Sequence, residues 1–498
     1  MSTAATGRFF RASRERLELL RERQREEGLE TAEIPSIPRR KDPSVHPLSF
    51  AQERLWFLDR LDPENPAYTI PSSIRLRGRL DVAALARGLT EVARRHDTLR
   101  STFHAIGGGA VQRVGPPRPV PLPVIDLGAL PDPLRDEEAR RVSLSEAARP
   151  FRLDEGPLFR ARLLRLGEDD HALAFDVHHI VADGWSRGIL LREVGELYGA
   201  ASEGREPSLP ELPIQYADYA VWQRGRLQGD TLAELLDFWR VRLSGLTPLD
   251  LPADRPRPAM PSGRGGRRPV RLSLELAERL RALAHGAEAT LFMALLAGWD
   301  ALLLRHGSAP DVAVGAPVAN RDRAETAGLI GFFVNTLVLR ADLSDDPSFG
   351  DLLARVRRET LEALARQEVP FEKLVEELQP DRDLGRQPLF QVMLALLPAP
   401  PEPPRWGGLG VDVRELPTGT AKVDLLLALE EGPEGVAGTC EHSADLFDEV
   451  TVDRLLARLE VLLESASDEP SRRISELNLL PAAELLQILA DAETPDLT

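Results

Sequence analysis

The sequence predicts two α/β lobes in one chain. Three observations carry this. Short apolar strands alternate with amphipathic helices from about residue 72 to Tyr198. A stretch rich in proline and arginine, "LPADRPRPAMPSGRGGRRPVR" (251–271), then interrupts the pattern. After it the alternation resumes, which is the mark of a second α/β unit. A chain of 498 residues is long enough to bury a core in each.

In the first unit, "SSIRLRG" (72–78) reads as a strand, and Asp81 caps the helix "VAALARGLTEVARRH". The strand "TLRSTFHAI" (98–106) follows. A proline-rich connection, "GPPRPVPLP", leads to the helix "DEEARRVSLSEAAR" and the strand "FRARLLRL". The turn "LGEDD" (166–170) opens another strand over 173–177. Ser186 reads as the cap of the next helix, whose Leu190, Val194, Leu197 and Tyr198 recur at spacings of three to four.

In the second unit come the strand "VRLSL", helices over 275–284 and 290–305, and the strands "DVAVGAPV" and "FVNTLVLRADL". A helix near 351–366, the strand "PLFQVMLAL" and the pair "KVDLLLALEE" and "GVAGTCEHS" about a Gly-Pro turn precede a helix over 450–465. The expected division is 1–44 as an N-terminal helix and linker, 45–220 and 221–478 as the lobes, and 479–498 as the start of a linker. The charged helix over 8–30 suits a linker or docking segment.

Composition excludes several classes. A net charge of −17 argues against nucleic acid as a partner. The arginines of 251–271 lack interleaved aromatics and read as a solvated loop. A single cysteine, Cys440, rules out an internal disulfide framework and a thiolate zinc cluster. No run of about 18 apolar residues suggests a membrane span, and no apolar signal core opens the chain, so a cytoplasmic protein is expected. Lysine occurs at Lys41, Lys373 and Lys422 only, among 62 basic residues.

The stretch "AFDVHHIVADGWSRGILL" (174–191) is the candidate site. It sets two histidines, an aspartate, a glycine and a tryptophan where a strand gives way to a helix. Two rigid elements hold such a loop in place. Metal ligation by His178 and His179 would need further donors, and the chain has no HExxH. A serine hydrolase would want a GxSxG elbow, and none is evident. A general base needs one imidazole aimed at a proton near neutral pH. A purely structural histidine pair stays open on the motif alone.

"HHIVADG" (178–184) matches the HHxxxDG signature of condensation domains of nonribosomal peptide synthetases. "LSFAQERLWFLDRL" (48–61), "RRHDTLRSTF" (94–103), "YADYAVWQR" (216–224), "GAPVANRDR" with "LIGFFVNTLVLR" (315–340), "RQEVPFEKLV" (366–375) and "RDLGRQPLFQVML" (382–394) resemble further motifs of that family, in order. The resemblance runs from about residue 45 to 480. The segment with "LNLLPAAE" resembles the linker that leads to an adenylation domain.

The resemblance implies two chloramphenicol-acetyltransferase-like lobes forming a V-shaped pseudodimer with a central tunnel. It implies amide bond formation between an acyl or peptidyl thioester on a donor carrier protein and the amine of an aminoacyl thioester on an acceptor carrier protein. Both substrates ride on phosphopantetheine of the partners; the domain itself binds no cofactor and no metal, and touches neither nucleic acid nor membrane. Carried over by position, His179 is catalytic with His178 beside it, and Gly184 lines the reaction centre. Asp183 is structural, with Arg100 its expected ion-pair partner and Arg95 the second choice. Trp185, Ser186, Asn335 and Phe333 are placed along the tunnel.

"HHIVADGWSRGIL" with "LIGFFVNTLVLR" looks most like domains joining an L-donor to an L-acceptor, and starter domains that take a fatty-acyl donor look similar. From another class comes a non-catalytic recruitment platform of the same fold, whose degenerate members lose the histidines. A free-standing acyltransferase using acyl-CoA is a further rival.

Overall fold

The computed structural model describes residues 36–40, 45–307, 310–378, 385–397, 406–414, 416 and 418–493. The expected helix over 8–30 and most of its linker lie outside them.

The first lobe is built on a five-stranded sheet. Its strands are β2 (Thr69–Arg77), β5 (Val124–Asp126), β6 (Phe159–Arg165), β7 (Asp170–His178) and β12 (Gly410–Arg414), in the order β12-β2-β7-β6-β5. Helices α2 (Val82–Arg95) and α4 (Gly184–Glu203) pack on each other and share a core with Ile74, Leu76, Leu173 and Phe175 of the sheet. Asp81 caps α2 as expected, accepting from Ala84 N–H. Leu85, Leu89 and Val92, spaced at one helical face, are then fully buried. Helix α3 (Leu134–Ala147) packs against β2 and β7. A separate three-stranded sheet, β1-β4-β3, joins β1 (Val45–Pro47), β3 (Ser101–Ile106) and β4 (Gly109–Val114).

The second lobe holds a six-stranded sheet, ordered β10-β9-β11-β13-β14-β8. Its strands are β8 (Gly265–Leu272), β9 (Asp311–Val318), β10 (Asn335–Asp342), β11 (Val392–Leu397), β13 (Leu425–Gly432) and β14 (Gly435–Ser443). Its helices include α7 (Leu274–Gly286), α8 (Leu291–His306), α9 (Phe349–Leu364) and α11 (Glu449–Asp468). Among the described residues no single helix is long and apolar enough to cross a membrane. The α7–α8 pair passes together by composition but bends by 103°, and α8 is buried on nearly every side in the lobe core.

Two features depart from the expected division. The boundary at 220 falls inside helix α5 (Tyr216–Arg226). Strand β12, absent from the sequence reading, leaves the second half of the chain and pairs with β2 of the first sheet, Val411 opposite Leu76. Trp406 just before it, and Ile330 from the β9–β10 loop, are buried in the first lobe's core. The second half of the chain therefore reaches onto the first lobe twice.

Candidate active site

Strand β7 runs between β2 and β6 and brings its last residue, His178, opposite Thr69. His178 N–H donates to Leu158 O at 3.0 Å. Its ring is buried, with Phe151 edge-on at 5.9 Å, and its Nδ1 accepts from Ile180 N–H at 3.1 Å. That bond puts the ring proton on Nε2 in the neutral form. Burial, and then the positive charge of Lys422, push this imidazole down to about 3.

His179 opens a 3-10 turn, Ala182 N–H closing on its carbonyl at 3.2 Å. Its ring packs edge-on to Phe332 at 5.6 Å, and its Nδ1 is buried with no hydrogen-bond partner among the described residues. Burial first, then Lys422 and His178, hold it well below the ordinary histidine range. The residue nevertheless keeps part of its surface open to solvent. Lys422 does the same: burial lowers its ammonium, yet the residue is exposed. His179 and Lys422 thus both have protein packed around them and surface left open to solvent.

Asp183 anchors the loop. It caps α4, its Oδ1 accepting from Ser186 N–H at 2.8 Å and from Ser186 Oγ at 2.7 Å, while Oδ2 accepts from Phe333 N–H at 3.0 Å. Its ion-pair partner is Arg321, whose Nη2 lies 3.1 Å from Oδ1, with side chains 3% and 1% exposed. Arg321 also donates to Thr326 O, Leu329 O and Gly331 O and stacks 4.1 Å from the Phe333 ring. The desolvation of this pair is thus offset by nearly complete hydrogen bonding.

Arg100, the expected partner, instead binds Asp97 and Gly115 O, three and fifteen residues away. Arg95, the second choice, bonds Glu193 at 3.0 Å. Both lie on the turn and helix before β3, whereas Asp183 looks toward the β9–β10 loop. The signal for Arg321 was present in "GAPVANRDR", but nothing local ties it to an aspartate 138 residues earlier.

The remaining candidates separate. Gly184 is the first residue of α4, is exposed, and a Cβ built there would meet nothing within 4 Å. Trp185 is half-buried and donates from Nε1 to Ala327 O at 3.1 Å. Ser186 neither caps the helix nor faces open space; it is 1% exposed, and its Oγ links Asp183, Arg321 and Gly331. Phe333 is buried between Tyr216 and Tyr219, with ring centroids 4.8 and 4.7 Å away. Asn335 uses its whole amide, bonding Gln367 O, Val369 O, Thr336 N–H and Phe371 N–H, and so pins the turn before α10 (Phe371–Leu378). These last three hold the frame, and Phe333 and Asn335 also line a small cavity together with Ser49, Tyr219 and Phe332.

Three further residues were not read from sequence. Tyr216 Oη donates to Phe332 O at 2.6 Å and sets the residue that packs on His179. At Gly331 a Cβ would come within 2.0 Å of the Tyr216 ring, so only glycine fits. His96 Nδ1 accepts from Ile330 N–H at 3.2 Å while Nε2 contacts Glu193 at 2.9 Å, a second clamp on the same loop.

A family model described as "Condensation domain" matches residues 43–489. Over 465 residues, 91% of the chain, the sequence is 44% identical to phosphinothricin tripeptide synthetase PhsC of Streptomyces viridochromogenes, of which it spans 42%. Over 447 residues, 90% of the chain, it is 42% identical to chondramide synthase cmdD of Chondromyces crocatus, of which it spans 11%. Among solved structures, the X-domain from teicoplanin biosynthesis matches with a TM-score of 0.82 at 32% identity, covering 90% of this chain and all of that one. The first condensation domain of the CDA synthetase matches with a TM-score of 0.75 at 25% identity, covering 88% and 99%.

Proposed function

The chain belongs to the condensation-domain family, and from that premise we propose that it forms a peptide bond between two thioesters carried on phosphopantetheine arms. The donor carrier, the acceptor carrier and an adjacent adenylation domain are its partners in the cytoplasm. The observation that carries this reading is His179, partly open to solvent and with its Nδ1 unbonded among the described residues, five positions before the exposed N-terminus of α4 at Gly184.

The acceptor nitrogen attacks the donor carbonyl carbon; the C–N bond forms and the C–S bond breaks. The nitrogen's proton ends on the departing thiolate, leaving an amide on the acceptor arm and a free thiol on the donor arm. The first N–H groups of a helix have no intrahelical acceptor, so Gly184 N–H suits the oxyanion that develops at the carbonyl. His179 stays a neutral imidazole and accepts a hydrogen bond from the attacking nitrogen. Its depressed basicity favours orienting that nitrogen and passing its proton onward over storing it as imidazolium. A thioester is already activated, and tethering raises the effective concentration of both reactants.

We assign the donor to the L-aminoacyl or L-peptidyl class, on the resemblance of the stretches after Gly184 and around Asn335. A non-catalytic platform is the second reading. It is favoured by the 33% identity and TM-score of 0.81 to the X-domain solved in complex with OxyB, and opposed by the retention of both histidines. One assay separates them: matched L-, D- and fatty-acyl donors on one carrier, with an L-aminoacyl acceptor carrier, are followed by mass spectrometry beside acyl-CoA. The expected result is carrier-dependent amide from the L-donor, reduced on the order of a hundredfold or more in His179→Ala, the typical weight of proton-transfer groups. A D-donor preference removes the subtype, a fatty-acyl preference moves the domain to the starter class, and no amide with any donor leaves the platform.

A further inference from the structure

Lys422 stands where the two lobes face each other. It follows β12 on the way to β13, and its backbone is fixed: Ala421 N–H bonds Gly263 O, Gln387 Nε2 donates to Lys422 O, and Asp424 N–H bonds Gln391 O, at 3.0, 3.0 and 2.9 Å. From that base the side chain crosses to the first lobe, its Nζ 5.3 Å from the centroid of the Tyr68 ring. Tyr68 directly precedes Thr69, the strand partner of His178. The ammonium therefore lies over the strand end that neighbours the histidine turn.

Its charged neighbours are themselves paired. Glu441 on β14 is its nearby carboxylate, but Glu441 is also bound by Arg267 of β8 at 3.3 Å. Arg54 of α1 (Phe50–Leu61) faces it as well and is matched by Glu372 at 3.5 Å. Tyr68 and the two imidazoles also face it, and all three are neutral at pH 7. The Lys422 charge bears on both imidazoles of the histidine turn and lowers each.

We propose that Lys422 is an electrostatic positioning residue for the acceptor, its fixed charge driving an incoming α-ammonium to shed its proton to water before attack. This rests on the amide-forming reading above. A free α-amine has a pKa of about 8, so at pH 7 most of it is protonated and inert as a nucleophile. A neighbouring cation destabilises the ammonium and raises the neutral fraction. No bond forms at Lys422 and nothing is oxidised; R–NH3+ becomes R–NH2 and hydronium. The same charge makes His179 a weaker base, which suits a partner that has only to orient an already neutral amine.

The test is the pH–rate profile of Lys422→Met and Lys422→Arg with both carriers loaded, beside NMR titration of the histidines in the free protein. In Lys422→Met the acidic limb should move up by roughly one pH unit, with about a tenfold loss at pH 7 that closes toward pH 9. Lys422→Arg should restore the wild-type limb. The imidazole titrations should rise in the methionine variant and not in the arginine one. A loss equal at every pH, or an arginine variant as slow as the methionine one, overturns the proposal. If the wild-type protein yields no amide at any pH, the amide-forming reading fails instead, and the NMR comparison alone then decides whether Lys422 sets the charge at the histidine turn.

Discussion

In the first lobe β7 ends at His178, and Asp183 at the N-cap begins a 20-residue helix. In the second lobe β14 ends at Ser443, and Asp448 at the N-cap begins another 20-residue helix after the same interval. The neighbours correspond too: the antiparallel order β2-β7-β6 is matched by β8-β14-β13. One backbone frame has been used twice, with different side chains. Where the first lobe has His178 and His179, the second has Ser443 and Ala444. Asp183 is buried against Arg321, whereas Asp448 pairs with Arg255 at the surface, the side chains 56% and 46% exposed. Asp448 makes no side-chain capping bond. The frame itself is thus not the site. The chemistry depends on imidazoles at the strand end and on a loop from the other lobe that buries the aspartate.

The largest break in that comparison comes from unpairing the buried ions. Asp183→Ala or Arg321→Ala should each destabilise the fold by about 3–5 kcal/mol, because one charge is left buried alone. A double change to neutral residues should recover part of it. Urea unfolding measures this, and a melting point unchanged in Asp183→Ala would assign the aspartate to the reaction instead of the scaffold. Arg100→Ala, at a partly exposed pair with Asp97, should lose no more than about 1 kcal/mol.

A second effect is pH-dependent. The folded imidazole of His178 is pushed down to about 3 from 6.5. The unfolded chain binds the proton first, so stability is fully present above pH 6.5 and is lost as pH falls toward 3. The slope is about 1.4 kcal/mol per pH unit. Asp176, raised by burial to about 6, acts in the opposite sense between 3.8 and 6. Its neutral form suits the fold, so its contribution is lost as pH rises through that range. The difference between wild type and His178→Asn isolates the histidine, since asparagine still offers Ile180 N–H an acceptor. Parallel acid-unfolding curves would show that His178 does not titrate in this way.

The smallest effect belongs to the second lobe. Asp448→Ala should change stability by no more than about 0.5 kcal/mol, as at ordinary surface sites, and should leave amide formation untouched. A loss comparable with that of Asp183→Ala would mean that the two strand-to-helix turns share a role.

Much of this was legible locally. Strand β9 and strand β14 stand where the apolar runs placed them, at Asp311–Val318 and Gly435–Ser443. Asp81 caps its helix as expected, because an N-cap bond spans only three residues. The histidine turn was recognisable for the same reason: its strand, cap and glycine fall within one short stretch. The cap itself was misplaced by three residues, since Asp183 and Ser186 both have oxygens fit for it and only the backbone shows which N–H is in reach. The internal duplication was implied by the family resemblance and not by any residue repeat, because the two strand-to-helix turns share geometry and almost no residues.

What the sequence determined by itself was therefore the order of elements, the two-lobed plan and the residues offered for chemistry, since strand and helix periods and capping signals act over a few positions. Only the tertiary structure decided which of those residues meet. Arg321 reaches Asp183 across 138 residues, Phe332 and Lys422 reach the imidazoles from the other lobe, and β12 joins a sheet whose β2 lies more than 300 positions earlier. The reason is physical: a buried ion pair or an added strand is selected by desolvation and by open hydrogen-bonding edges. Those exist only once both lobes have folded against each other.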